Sequence, residues 1–181
     1  MNFDDLFLSE IRRQLPDDID VVARPAPIEG RRRVDPRVAR DDAEATDTLA
    51  VEALVELWRA MLPGESEPTA LRLRWMPTQT TDAVGAEAGA RCPGLAGVAV
   101  AALDRIAATL DAGEWSWTRR DPAGERIIRV LGRRHRVGFE LGIRPEDDVV
   151  LLRTRVGPVV VGALGAELLE RPIDQRPWPA S

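Results

Sequence analysis

Lysine is missing altogether: all 25 basic residues of the 181-residue chain are arginine. Tyrosine is absent too, asparagine occurs only at Asn2, and histidine and cysteine appear once each, as His135 and Cys92. Each absence excludes a chemistry. Without lysine there is no Gly-x-x-x-x-Gly-Lys-Ser/Thr phosphate loop, and no Gly-x-Gly-x-x-Gly follows an expected strand, so the usual nucleotide cradles are gone. A structural zinc site takes four Cys or His ligands, and His135 and Cys92 supply only half of that set. One cysteine forms no intrachain disulfide, which suits a reducing compartment. No apolar run approaches the ~20 residues of a membrane span, and Asp4 and Asp5 stand where a signal peptide carries positive charge. The expectation is a cytoplasmic chain with no membrane partner.

Arginine without lysine, alongside little or no tyrosine and asparagine, reads as the coding bias of a high-GC bacterial gene. Single arginines are therefore weak signals, although guanidinium and ammonium groups differ in bidentate pairing and stacking. The formal charge of -5 argues against a purely electrostatic binder of nucleic acid or anionic membrane while leaving room for a local basic face. Hydrophobic residues make up 44% of the chain, enough to offset chain entropy and specify a core.

Along the chain, Phe3, Leu6, Phe7, Ile11 and Leu15 share a helical stripe over residues 2–15, and residues 17–22 suit a short strand. Residues 24–40, rich in Pro, Gly and Arg, read as an irregular arm. A second helix is expected to begin between Asp41 and Thr48 and to end before Pro63, with Leu54, Leu57, Trp58 and Met61 on its apolar face and Glu52 and Glu56 on the other. Leu71, Arg72, Leu73, Arg74 and Trp75 alternate as in a half-buried strand, and residues 78–92, small and polar, read as a long surface loop. A third helix follows Pro93 and closes at Gly113. Short strands then cover 115–117, 127–131, 137–141, 149–156 and 159–161, before a helix at 164–170 and a flexible Pro-rich tail over 172–181. The pattern predicts a single α+β domain over residues 1–181. Its core is an antiparallel sheet of about five or six strands, mostly from the C-terminal half, packed on two or three amphipathic helices.

No catalytic constellation emerges. His135 lies among Arg133, Arg134 and Arg136, whose charges disfavour its protonated form, and neither Ser9, Ser66 nor Ser116 sits in a nucleophile elbow. Cys92, at an expected helix start, has no base beside it in sequence. The acids Asp17, Asp18 and Asp20, and Glu146, Asp147 and Asp148, do not follow a calcium-loop spacing and read as turn formers. No metal, cofactor or catalytic residue is therefore expected. What stands out is arginine in the expected strands: Arg72, Arg74, Arg126, Arg136, Arg153 and Arg155, with Arg119 and Arg120 at a strand end. A shared face of these would be cationic, although RNA-binding sheets add stacking aromatics, and Trp75 falls on the apolar side. The chain is expected to be a non-catalytic protein-binding module, such as a toxin immunity protein or a secretion chaperone. Its partner surface is either Arg72, Arg74, Arg153 and Arg155 or the acidic helix around Glu52 and Glu56. The alternative is a nucleic-acid-binding domain using the arginine-bearing sheet face, and a third reading is a hydrolase or transferase using carboxylates alone.

Overall fold

The computed structural model describes residues 34–80, 82–121 and 126–180. The helix and strand expected over residues 2–15 and 17–22, with Asp17, Asp18 and Asp20, lie outside these, as does the arm up to residue 33. Asp35 begins the first described helix, α1 (Pro36–Met61): its Oδ1 accepts from the Arg37 N–H at 2.8 Å, and Pro36 occupies a position that needs no donor. Residues 36–40 are thus helical, a correction to the irregular arm expected there. The cap and the stripe begun by Ala39 and Ala43 extend the helix upstream of Asp41.

Seven antiparallel strands follow: β1 (Ala70–Pro77), β2 (Ala83–Pro93), β3 (Ser116–Arg120), β4 (Ile128–Arg134), β5 (Val137–Arg144), β6 (Val149–Val160) and β7 (Asp174–Pro177). They are ordered β3-β4-β5-β6-β2-β1-β7. The helices α2 (Ala96–Ala101) and α3 (Leu103–Ala112) link β2 to β3, and α4 (Leu164–Glu170) links β6 to β7. The α+β fold expected from the sequence is the fold observed, with one or two more strands. The described residues fall within one compact unit, Arg32–Ser181. None of the described helices is long and apolar enough to cross a membrane.

The helix α1 lies across β6 and β2 and defines the buried side of the sheet. Leu54, Leu57, Trp58 and Met61 pack against Leu71, Leu73, Leu141, Ile143 and Leu152. Each such side chain contributes about 1.5–3 kcal/mol through removal from water. Ala86, Ala88 and Ala90 floor the middle of this core, because a long helix seated on a central strand leaves space for methyl groups only. The buried Thr154 Oγ1 donates to the Ala50 carbonyl at 2.7 Å, so the hydroxyl that β6 carries into the core is satisfied by α1.

Four expectations are overturned. Residues 78–92 are not a surface loop: from Ala83 they form β2, paired with β1 on one side and β6 on the other. Its small side chains gave no apolar contrast, yet Ala86, Ala88, Ala90 and Cys92 face the helices while Glu87, Gly89 and Arg91 face away, a period of two written in methyl groups. The flexible tail is likewise partly a strand: β7 pairs with β1, Arg176 grips Asp47 through two bonds of 3.1 and 2.9 Å, and Trp178 meets Trp58 edge-on at 5.9 Å. The third helix breaks at Ala102 into α2 and α3, and the two last short strands are one strand, β6.

Gly132 shows how tight the packing is. A Cβ there would lie 2.2 Å from Phe139 Cε1, and Phe139 is itself held edge-on to Trp115 at 5.1 Å. Gly132→Ala should therefore cost about 1–3 kcal/mol through overpacking. Gly97→Ala, in α2 with nothing within 4 Å of the new methyl, should stabilise by about 0.4–1 kcal/mol. Urea denaturation of the two variants checks both signs.

Candidate functional site: the uncovered sheet face

Among the described residues the helices occupy one side of the sheet, so the opposite side is built there by alternate strand residues. The register sets these in rows. Arg133 of β4, Gly138 of β5, Arg155 of β6, Glu87 of β2 and Arg74 of β1 are successive neighbours, and beside them run Leu131, Glu140, Arg153, Gly89 and Arg72. The four arginines expected to make a partner surface, Arg72, Arg74, Arg153 and Arg155, thus share one face. Arg91, Arg129 and Arg133 join them. Arg126 and Arg136 lie outside the strands, and Arg119 sits on the helical side of β3, paired with Asp121.

At the centre is Glu87, only 5% exposed. Arg74 reaches Oε1 through Nη2 at 2.6 Å and Nε at 2.9 Å, and Arg155 Nε reaches Oε2 at 2.5 Å. Burial by itself pushes the Glu87 carboxyl upward, but the guanidiniums of Arg155, Arg74 and Arg153 outweigh it and hold the group below its ordinary value. Burial lowers the pKa of Arg153, opposed by Glu87 and by Glu140, its cross-strand neighbour. It remains a cation at neutral pH.

Two shallow clefts open on this face. One, of about 440 Å³, lies over Ser116, Thr118, Leu131, Glu140 and Arg153. The other, of about 410 Å³, lies over Met76, Thr78, Gly85, Arg136, Gly157 and Pro158. Arg133, Gly138 and Arg155 line both, so the clefts meet at a glycine flanked by two arginines.

Comparison with protein-family models, curated proteins and solved structures finds no match. Chemistry has to be read from the geometry. Glu52 and Glu56 are exposed on α1, on the opposite side of the molecule from the arginine face, and Glu56 lies 3.6 Å from Arg134. The structure therefore keeps the two expected partner surfaces apart. His135 turns the β4–β5 hairpin at a φ of 54°, exposed, beside the end of the sheet where β2 begins. Cys92 is buried at the other end of β2, on the helical side, roughly 20 Å away at 3.3 Å per strand residue. They do not form a pair. Glu146 and Asp147 are bound to Arg126 and Arg144, and Asp148 caps α2 through the Ala96 N–H at 3.0 Å. These acids face separate partners, and no cluster of three or more potential metal ligands occurs among the described residues. Trp75 packs into the core, and Trp117, on the helical side, donates to Asp111 at 2.7 Å.

Sequence reasoning missed Glu87, Arg133 and Gly138. Glu87 was hidden in a segment read as loop, and only the alternation of Gly and charged residues against Ala over 85–92 marked it as a strand residue.

Glu87→Gln should destabilise the fold by about 2 kcal/mol at pH 7, between an exposed and a fully buried pair, because both arginines keep contact with water. Since the folded pKa lies below the ~4.3 of an unfolded glutamate, the stabilisation is complete above that value and disappears as pH falls through the folded pKa. Urea midpoints of wild type and variant should differ at pH 7 and draw together as pH falls below the unfolded value and through the lower folded one. Cys92 gives a second check: burial raises its pKa, so a thiol reagent at pH 7.5 should label it slowly in the native chain and fast in denaturant.

Proposed function

We propose that the chain is a non-catalytic protein-binding module, of the kind an immunity protein or a secretion chaperone represents, and that it engages an acidic segment of its partner on the uncovered sheet face. The observation that carries this reading is the arrangement of Arg72, Arg74, Arg133, Arg153 and Arg155 in register on a face that no described helix covers. A row of guanidiniums fixed by strand geometry favours carboxylate-bearing surfaces and speeds their encounter. The same arginines suit nucleic acid. No described strand residue whose register turns it to this face is aromatic, and Trp117 and Phe139, which border one cleft, belong to the helical side, which favours the protein partner. The separation of His135 from Cys92 supports action by occlusion or holding in place of chemistry.

The test immobilises the full 181-residue chain and offers it three pools: degenerate peptides rich in Glu, degenerate neutral peptides, and single-stranded oligonucleotides. The Glu-rich pool should be retained at 50 mM salt and released as salt rises. Retention should fall about tenfold or more in Arg72→Glu/Arg133→Glu and stay unchanged in Glu52→Arg/Glu56→Arg. Stronger retention of the oligonucleotides would select the nucleic-acid reading, and loss of binding in the α1 double variant would move the interface to the helical side.

A further inference from the structure

The open face is not uniformly basic. Arg74 and Arg155 share the charge of Glu87, and Arg153 lies opposite Glu140. Arg133 and Arg136 form no ion pair with a described carboxylate, so the excess positive charge of the face gathers at the β4–β5 end, where both residues line the cleft over Gly138. Each is nonetheless anchored. Arg133 donates its Nε to the His135 carbonyl at 3.1 Å, leaving both Nη groups without a described acceptor, and Arg136 donates Nη2 to the Pro158 carbonyl at 3.1 Å. Arg155 is anchored through its Nε to Glu87. Three guanidiniums tethered to fixed acceptors around one cleft have already lost part of the freedom that binding would otherwise remove.

The floor of that cleft is Gly138. The backbones of Arg133 and Arg155 lie one strand to either side of it, roughly 10 Å apart at 4.8 Å per strand step. A Cβ at Gly138 would meet nothing closer than the Gly132 carbonyl at 3.8 Å. The position has room for a side chain and carries none, so the space above it stays open between the arginines. A carboxylate, with two oxygens and one charge, satisfies a single guanidinium fork. Two uncompensated cations plus a third arginine around one open floor match a group with three oxygens and close to two charges.

We propose that the Gly138 cleft binds a phosphoryl group on a phosphorylated serine or threonine of the partner's acidic segment, with Arg133, Arg136 and Arg155 as its ligands. This inference rests on the sheet-face reading above and names its anchor. The remaining arginines of the face take the flanking carboxylates, so phosphorylation of the partner strengthens an interface that acidic residues alone make weak.

The experiment compares two degenerate peptide pools on the immobilised full chain, one with a fixed central phosphoserine and the other with serine, both on the same Glu-rich background, at 50 mM salt. The phosphorylated pool should bind about tenfold or more tightly, the gain of one or two charge-assisted bonds. That preference should vanish in Arg136→Gln, outside the strand arginines that meet the carboxylates, and in Gly138→Val, which fills the floor without removing an arginine. Residual binding of the serine pool should survive in both, and circular dichroism should report an unchanged fold. Equal retention of the two pools, or a preference that survives both variants, overturns the phosphoryl site while leaving the acidic-segment reading intact. Retention of neither pool overturns both. Preferential binding of anionic lipid vesicles over the phosphorylated pool also overturns it, by assigning the same arginines to a headgroup.

Discussion

A carboxylate with about a twentieth of its surface in water has to find counter-charge within the protein, and Glu87 finds it on both neighbouring strands. That constraint organises the outer half of the molecule. Arg74 on β1 and Arg155 on β6 are drawn onto a common centre across β2, which fixes their side chains and, with them, the charge pattern of the face. A buried charged triad is a poor source of net stability compared with apolar packing. Its worth here lies in specificity, because a register slip in β2 would turn Glu87 toward the core and leave a charge among Leu54, Leu57 and Leu152.

The other half of the molecule follows from what β2 does not carry. With alanine methyls and one thiol on the helical side of this strand beyond Val84, α1 seats directly on the sheet centre and its apolar stripe is satisfied there. The flanking bulk comes from Leu71 and Leu73 on one side and from Val150, Leu152 and Leu141 on the other. Once α1, α3 and α4 have used this side, nothing in the described chain covers the reverse. An uncovered sheet survives in water when its side chains are polar, and arginine stems over glycine and alanine backbone meet that condition.

How far the sequence revealed this depended on contrast. Where leucine alternated with arginine, as at residues 71–74, both the strand and the direction of its side chains could be read. The stripe of Leu54, Leu57, Trp58 and Met61 was equally legible. Where the inward residues were alanine, as in β2, hydropathy carried almost no alternation, and tertiary pairing with β1 and β6 made the strand. β7 was hidden for a related reason: between Pro172 and Pro177 it owes its existence to β1 and to the grip of Arg176 on Asp47, partners remote in sequence. The arginine face was foreseen from period two alone. Its organising residue, Glu87, and its open floor, Gly138, were not, since an acid in an apparent loop and a glycine in a strand look unremarkable until the register sets them side by side.

Glu87 holds Arg74 and Arg155 of the open face in a fixed array. The direct measurement is the solvent exchange of the guanidinium Nε–Hε groups by nitrogen-15 NMR at pH 7. Well-dispersed, slowly exchanging signals are expected for Arg74 and Arg155, collapsing to averaged, fast-exchanging ones in Glu87→Gln while the amides of the β2 interior keep their protection. Signals from these two arginines that are already averaged and fast-exchanging in the wild-type chain would contradict it.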